Sequence, residues 1–217
     1  MFDLRLFGGR GAGTGGGGTG GIDSNDIVSR DSLISQRGER QREVDDVLNV
    51  LRNARDQYGA ILTDVQTAVM TPRGQSTMAF YDADGNVAIN QNYFDESRIA
   101  GAYDANVASG FHPSRGDKSA IEAVTAHEVG HKITEMAGEN AGYGSWALDR
   151  VANEVVKNAS RATGLKHDDL RKSISGYARS NNAETLAEAF ADVYCNGNKA
   201  SNASKAIVTE LNKYFRG

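Results

Sequence analysis

The pentapeptide His127-Glu128-Val129-Gly130-His131 constrains this chain more than any other stretch. Histidines four apart on a helix stand one turn above each other on one face, so both can point a ring nitrogen at a single metal ion. Glu128 follows the first histidine and flanks that ion. It can reach a water held there without being a ligand itself, the position a general base takes in zinc-dependent hydrolysis.

The flanking residues predict a helix from Asp117 to Gly138. Asp117 or Ser119 can cap its start, Ala120, Ile121, Val124, Val129, Ile133 and Met136 supply apolar positions, and Gly138 can end it. The apolar positions spread widely around this helix and imply burial on several sides. Buried imidazoles and a carboxylate are costly unless a metal or hydrogen bonds satisfy them, which argues against a solvated face that carries the three residues by chance. Gly130 costs roughly 1 kcal/mol relative to alanine in a helix interior, so its presence predicts close packing of another element there.

A catalytic zinc site needs a third protein ligand and one open position. A ligand on the same helix would require a glycine three and a histidine six residues past His131, where Thr134 and Ala137 stand, so the metzincin arrangement is excluded. A second helix is predicted from Asn182 to Cys195, with Leu186, Ala187, Phe190, Ala191 and Val193 as its apolar set. Glu184 and Glu188 fall one turn apart on one face of it. One would ligate, while the other would accept the free N–H of a ligand histidine and fix its tautomer. Two alternatives stay open in the residues alone: His167 as the third ligand, or a shifted pair with Glu188 as ligand and Asp192 as its helper. His112, in the loop Gly110-Phe111-His112-Pro113, reads first as loop packing, with the cleft as its alternative place. Tyr177 by itself reads as an ordinary buried tyrosine.

The run Tyr177-Ala178-Arg179-Ser180-Asn181-Asn182-Ala183-Glu184-Thr185-Leu186-Ala187-Glu188-Ala189-Phe190, following a His-Glu-x-Gly-His helix, resembles the anthrax lethal factor type of metallopeptidase domain, a gluzincin-like family also found in phage and prophage proteins. The resemblance implies a zinc endopeptidase that acts on a protein or peptide substrate. In it His127, His131 and Glu184 would hold Zn2+, Glu188 would support a ligand histidine, and Tyr177 would act on the developing oxyanion and leaving group, beside Glu128 as the base. The likeness is confined to roughly Ile121 to Met136 and Ser175 to Phe190, and departs at Thr185 and Leu186, where the family often has bulkier aromatic residues.

The expected fold class is α+β: a mostly helical zincin-like metallopeptidase domain with a small β-sheet. Helices are predicted over Glu39–Tyr58, Ser145–Thr163 and Ser201–Phe215, and a β-hairpin over Thr77–Asn90 about the turn Asp82-Ala83-Asp84-Gly85. Asn86 to Asn90 is the expected open edge beside the motif helix, available for pairing with a peptide.

With 217 residues, 39% of them hydrophobic, the chain can bury one real core, so residues 22–217 are read as a single domain. Residues 1–21 are read as a flexible glycine-rich arm, with Leu4, Leu6 and Phe7 as an apolar tip on the tether Gly8–Gly21. That arm looks like the N-termini of tailed-phage structural proteins. It names a phage structural protein as an expected partner and a virion or assembly component, its body a docking module, as the alternative function. A net charge of -4 and a pI near 5.6 argue against a nucleic-acid partner, and no run of about 18 apolar residues argues for a membrane. The lone Cys195 excludes an internal disulfide, and the charged, short opening is not a secretion signal. The expected location is the cytoplasm of a bacterial host, with the virion as the second.

Overall fold

A computed structural model describes residues 24–59, 61, 63–82, 84–144 and 147–216. The arm at 1–21, and Ser145 at the predicted start of a helix, lie outside the described residues. In chain order the regular elements are β1 (Ile27–Ser32), α1 (Gln41–Tyr58), β2 (Val65–Met70), β3 (Ala79–Tyr81), β4 (Val87–Asn90), α2 (Glu96–Ala108), α3 (Ala120–Asn140), α4 (Ala147–Thr163), α5 (His167–Lys172), α6 (Asn182–Asn196) and α7 (Asn202–Leu211). This is a mostly helical α+β fold with one small mixed sheet.

The motif helix α3 starts at Ser119, whose hydroxyl accepts from Glu122 N at 3.0 Å while Glu122 accepts from Ser119 N at 3.2 Å. Glu96, at the start of α2, reaches over and accepts from Ala120 N at 2.9 Å and Ile121 N at 3.1 Å. The first orphan amides of the helix are thereby satisfied by carboxylates and a hydroxyl, and negative charge sits at the positive end of its dipole. Nearly every residue from Ala120 to Thr134 is buried, because α3 packs on α1, α2, α4, α6 and β3 at once.

Gly138 does not end α3, contrary to the sequence expectation; the helix runs on to Asn140. A Cβ at Gly138 would stand 2.4 Å from the Cβ of Ala147, the first residue of α4. The glycine is there for close approach of two helices and not for a left-handed turn.

The strands are ordered β1-β2-β4-β3, with β2 and β4 parallel and the other pairs antiparallel. The β3–β4 hairpin forms as predicted, and Asp82 Oδ1 accepts from Asp84 N and Asn86 N, both at 2.9 Å, to shape its turn. The expected edge does not hold. Asn86–Asn90 contributes β4, which lies between β2 and β3, so its main-chain groups face partners on both sides. The strand at the sheet's edge on this side is β3, and both β3 and β4 pack against α3, β3 more extensively. One sheet face gives Val65, Ala79, Tyr81, Val87 and Ile89 to the main core, and the other carries Ala68, Met70, Phe80 and Ala88 in a small second cluster.

Two outcomes follow from this packing. Gly138→Ala gains helix propensity of about 1 kcal/mol, yet the overlap with Ala147 dominates, so urea denaturation should show a net loss of about 1–3 kcal/mol. Cys195 is buried, and that burial, with Glu122 nearby, pushes its thiol up to about 12. At about pH 8 the native thiol should therefore resist iodoacetamide and react only after denaturation, whereas fast native labelling would contradict the burial.

Candidate metal centre

Glycine sets the depth of the site. At Gly130 a Cβ would meet Ala187 Cα at 3.0 Å and Phe190 Cβ at 3.1 Å, so α6 lies against α3 where a side chain would otherwise separate them. This brings Glu184 and Glu188 of α6 to the histidines of α3. Asn181 caps α6 by accepting from Glu184 N at 2.9 Å, which places Glu184 in the first turn of the helix.

His127 stands between the two glutamates. Its Nδ1 is 2.8 Å from Glu188 Oε1 and its Nε2 is 3.0 Å from Glu184 Oε2. His131 Nε2 faces the same Glu184 Oε2 at 3.5 Å, too far for a sound hydrogen bond, and neither nitrogen of His131 has a hydrogen-bond partner. Tyr81 of β3 stacks on the His131 ring, with centroids 6.1 Å apart. Both oxygens of Glu128 are buried and without partners. Tyr177, in a short 3-10 turn ahead of α6, lies 5.7 Å from the His127 ring and hydrogen-bonds Glu184. The residues singled out in the sequence, His127, Glu128, His131, Tyr177, Glu184 and Glu188, thus converge.

The other candidates fall elsewhere. His167 is exposed at the start of α5. Asp192 accepts from Asn196 Nδ2 at 2.9 Å and Ser201 N at 3.0 Å, so it fastens the end of α6 to the start of α7 and does not assist Glu188. His112 is the residue the sequence undervalued: its Nδ1 lies 3.1 Å from Glu188 Oε1. Ser175 was missed altogether, and its hydroxyl donates to Glu188 Oε2 at 2.6 Å. Neither sits at a recognisable spacing from the motif, so only the folded chain brings them in. Thr185, where the sequence departs from the family it resembles, donates to Ala178 O at 2.8 Å and ties the Tyr177 turn to α6.

Three buried carboxylates behave differently here. Burial would raise Glu188, but His112 and His127 hold it well below the usual carboxylate range. Burial likewise opposes ionisation of Glu184, and His131 and His127 overrule it, leaving it below its ordinary value. Glu128 has no donor, and burial pushes it up to about 7 despite the two imidazoles beside it. For His127, burial works against the charged form while Glu184 and Glu188 favour it, and the net shift is well upward. Burial and the neighbouring Glu184 raise Tyr177, so its hydroxyl keeps its proton and can donate.

The donor types suit a tetrahedral cation. Metal bonds of 2.0–2.2 Å in tetrahedral geometry separate ligand atoms by about 3.3–3.5 Å; His131 Nε2 stands 3.5 Å from Glu184 Oε2, at that spacing, and His127 Nε2 stands 3.0 Å from it, closed in to a direct hydrogen bond that a cation between them would open. Atoms of His127, Glu128 and His131 also lie within 4.8 Å of one another. Glu184 is the carboxylate within hydrogen-bond range of His127 Nε2 and 3.5 Å from His131 Nε2, which makes it the candidate third ligand and leaves Glu128 the candidate base. Glu188 on Nδ1 of His127 then leaves Nε2 of that ring for the cation. No protein-family model, curated protein or solved structure matches the chain.

A zinc ion bound here should stabilise the fold, by about 2.7 kcal/mol at a free concentration one hundred times its dissociation constant. Calorimetry should show a higher melting temperature with zinc than with a chelator, and Glu184→Ala should abolish the difference. An identical zinc response in that variant would exclude Glu184 as a ligand.

Proposed function

We propose that the protein is a zinc-dependent metallopeptidase that hydrolyses peptide bonds in a protein or peptide substrate. The observation that carries this is the meeting of His127 Nε2, His131 Nε2 and Glu184 Oε2 beside a Glu128 carboxylate that has no other partner. Zinc held by His127, His131 and Glu184 would supply a Lewis acid that brings the pKa of a coordinated water toward about 7.

The chain's own groups do the rest. Glu128 takes a proton from water as the oxygen attacks the peptide carbonyl carbon, and passes it to the amide nitrogen as the C–N bond breaks. Tyr177 turns its hydroxyl proton from Glu184 to the carbonyl oxygen and donates a hydrogen bond there as negative charge grows.

The substrate's main chain has a place to lie. Asn90 N donates to Met78 O, and Asp82 N donates to Asn86 O, both at 2.9 Å. In an antiparallel pair these contacts turn the main-chain groups of Ala79 and Tyr81 away from β4, toward the edge of the sheet. An extended peptide paired with β3 would run past Tyr81 and the His131 ring it stacks on.

Purified protein with zinc should cleave an unfolded protein such as reduced casein. Glu128→Gln should keep one zinc and lose about 10²–10⁴-fold in kcat; equal activity would remove Glu128 from its role. Tyr177→Phe should lower kcat about 10²–10³-fold with a smaller change in KM. A change in KM alone would make Tyr177 a binding group and not an oxyanion donor.

A further inference from the structure

Glu188 collects donors from three separate parts of the chain. His127 Nδ1 lies 2.8 Å from Oε1, His112 Nδ1 lies 3.1 Å from the same oxygen, and Ser175 Oγ donates to Oε2 at 2.6 Å. Only the first belongs to the motif helix. His112 is 2% exposed, its ring lies flat on Tyr103 with centroids 5.4 Å apart and planes 7° apart, and it meets Tyr177 edge-on at 5.6 Å.

The loop that bears His112 is laced to the segment that bears Tyr177. Gly176 N donates to Gly110 O at 2.8 Å, and Tyr177 N donates to Phe111 O at 3.0 Å. A Cβ at Gly176 would stand 3.2 Å from Gly110 O, so the glycine permits this closeness. The main chain therefore fixes where the His112 ring can go.

Packing alone does not call for a histidine in that slot. His112 Nε2 is buried with no partner, a cost that a phenylalanine of similar shape would avoid. The compensating contact is the hydrogen bond from Nδ1 to Glu188. With a single donor a glutamate carboxylate can swing about its last torsions; with three fixed donors it cannot.

We infer that His112 is a positioning residue: by donating from Nδ1 to Glu188 Oε1 it fixes the carboxylate that holds His127 Nδ1–H, and so keeps His127 Nε2 aimed at the cation site. This rests on the metallopeptidase reading above.

Two substitutions separate the hydrogen bond from the packing. His112→Phe keeps the stack on Tyr103 and removes the donor. His112→Asn removes most of the ring and returns an N–H near the Nδ1 position. Zinc affinity is measured for the wild type and both variants by competition with a chromophoric chelator. His112→Phe should bind zinc about 10–100-fold more weakly than wild type, while His112→Asn should stay within about threefold and keep the wild-type visible spectrum when loaded with cobalt. The reverse order, or three equal affinities, would overturn the positioning role. Should His112→Phe fail to fold, nitrogen-resolved NMR of the wild-type protein decides instead: a slowly exchanging Nδ1–H on His112 is expected, and its absence refutes the inference. A wild type that binds no zinc would defeat the metallopeptidase reading, whereas tight wild-type binding matched by His112→Phe would defeat only the part assigned to His112.

Discussion

The approach of α6 to α3 at Gly130 is the contact on which the rest of the centre depends. A glycine inside a buried helix forgoes about 1 kcal/mol of helix propensity, and here the space it leaves is filled by Ala187 and Phe190. Any side chain at that position would push α6 outward and carry Glu184 and Glu188 away from the imidazoles. Gly138 repeats the device two turns on, admitting the start of α4. The helix that presents His127 and His131 is thus held at two places by backbone proximity, which leaves little room for the two rings to drift.

Within that frame, one residue type takes two electrostatic states. Glu188 is surrounded by donors and stays ionised, Glu184 faces two imidazoles and stays ionised, and Glu128, with no donor, is pushed up to about 7. Differences in hydrogen bonding separate two ionised carboxylates from one held near neutrality without any change in side-chain chemistry. The ionised pair on either side of His127 also offsets the desolvation cost of burying that ring.

Local signals were readable where the backbone period and capping residues dominate. Ser119 as a cap announces α3, the apolar set from Leu186 to Val193 announces α6, and the apolar repeat from Val44 to Tyr58 announces α1. The sheet was legible only in its hairpin. β1 shows no apolar alternation, with Ser29, Arg30 and Asp31 in its middle, and it is held by pairing with β2. β2 and β4 run parallel and are covered on both faces, so neither carries a polar stripe that would reveal its place. Strand order depends on crossovers between distant segments, and for that reason β4 was mistaken for the edge that β3 occupies. α2 escaped notice because few of its residues, Ile99, Tyr103 and Asn106, are buried.

The sequence by itself determined that two histidines and a glutamate share a helix, that two more glutamates share a face of a second one, and that a tyrosine precedes it. Helical geometry is local, and a spacing of four fixes a common face whatever the surroundings. Only the tertiary structure decided which glutamate meets which ring nitrogen, that Glu128 is left without a donor, and that His112 and Ser175 close around Glu188. Those contacts join residues far apart in the chain, and they are set by how near the packed helices and laced loops can come, a quantity that no spacing along the chain records.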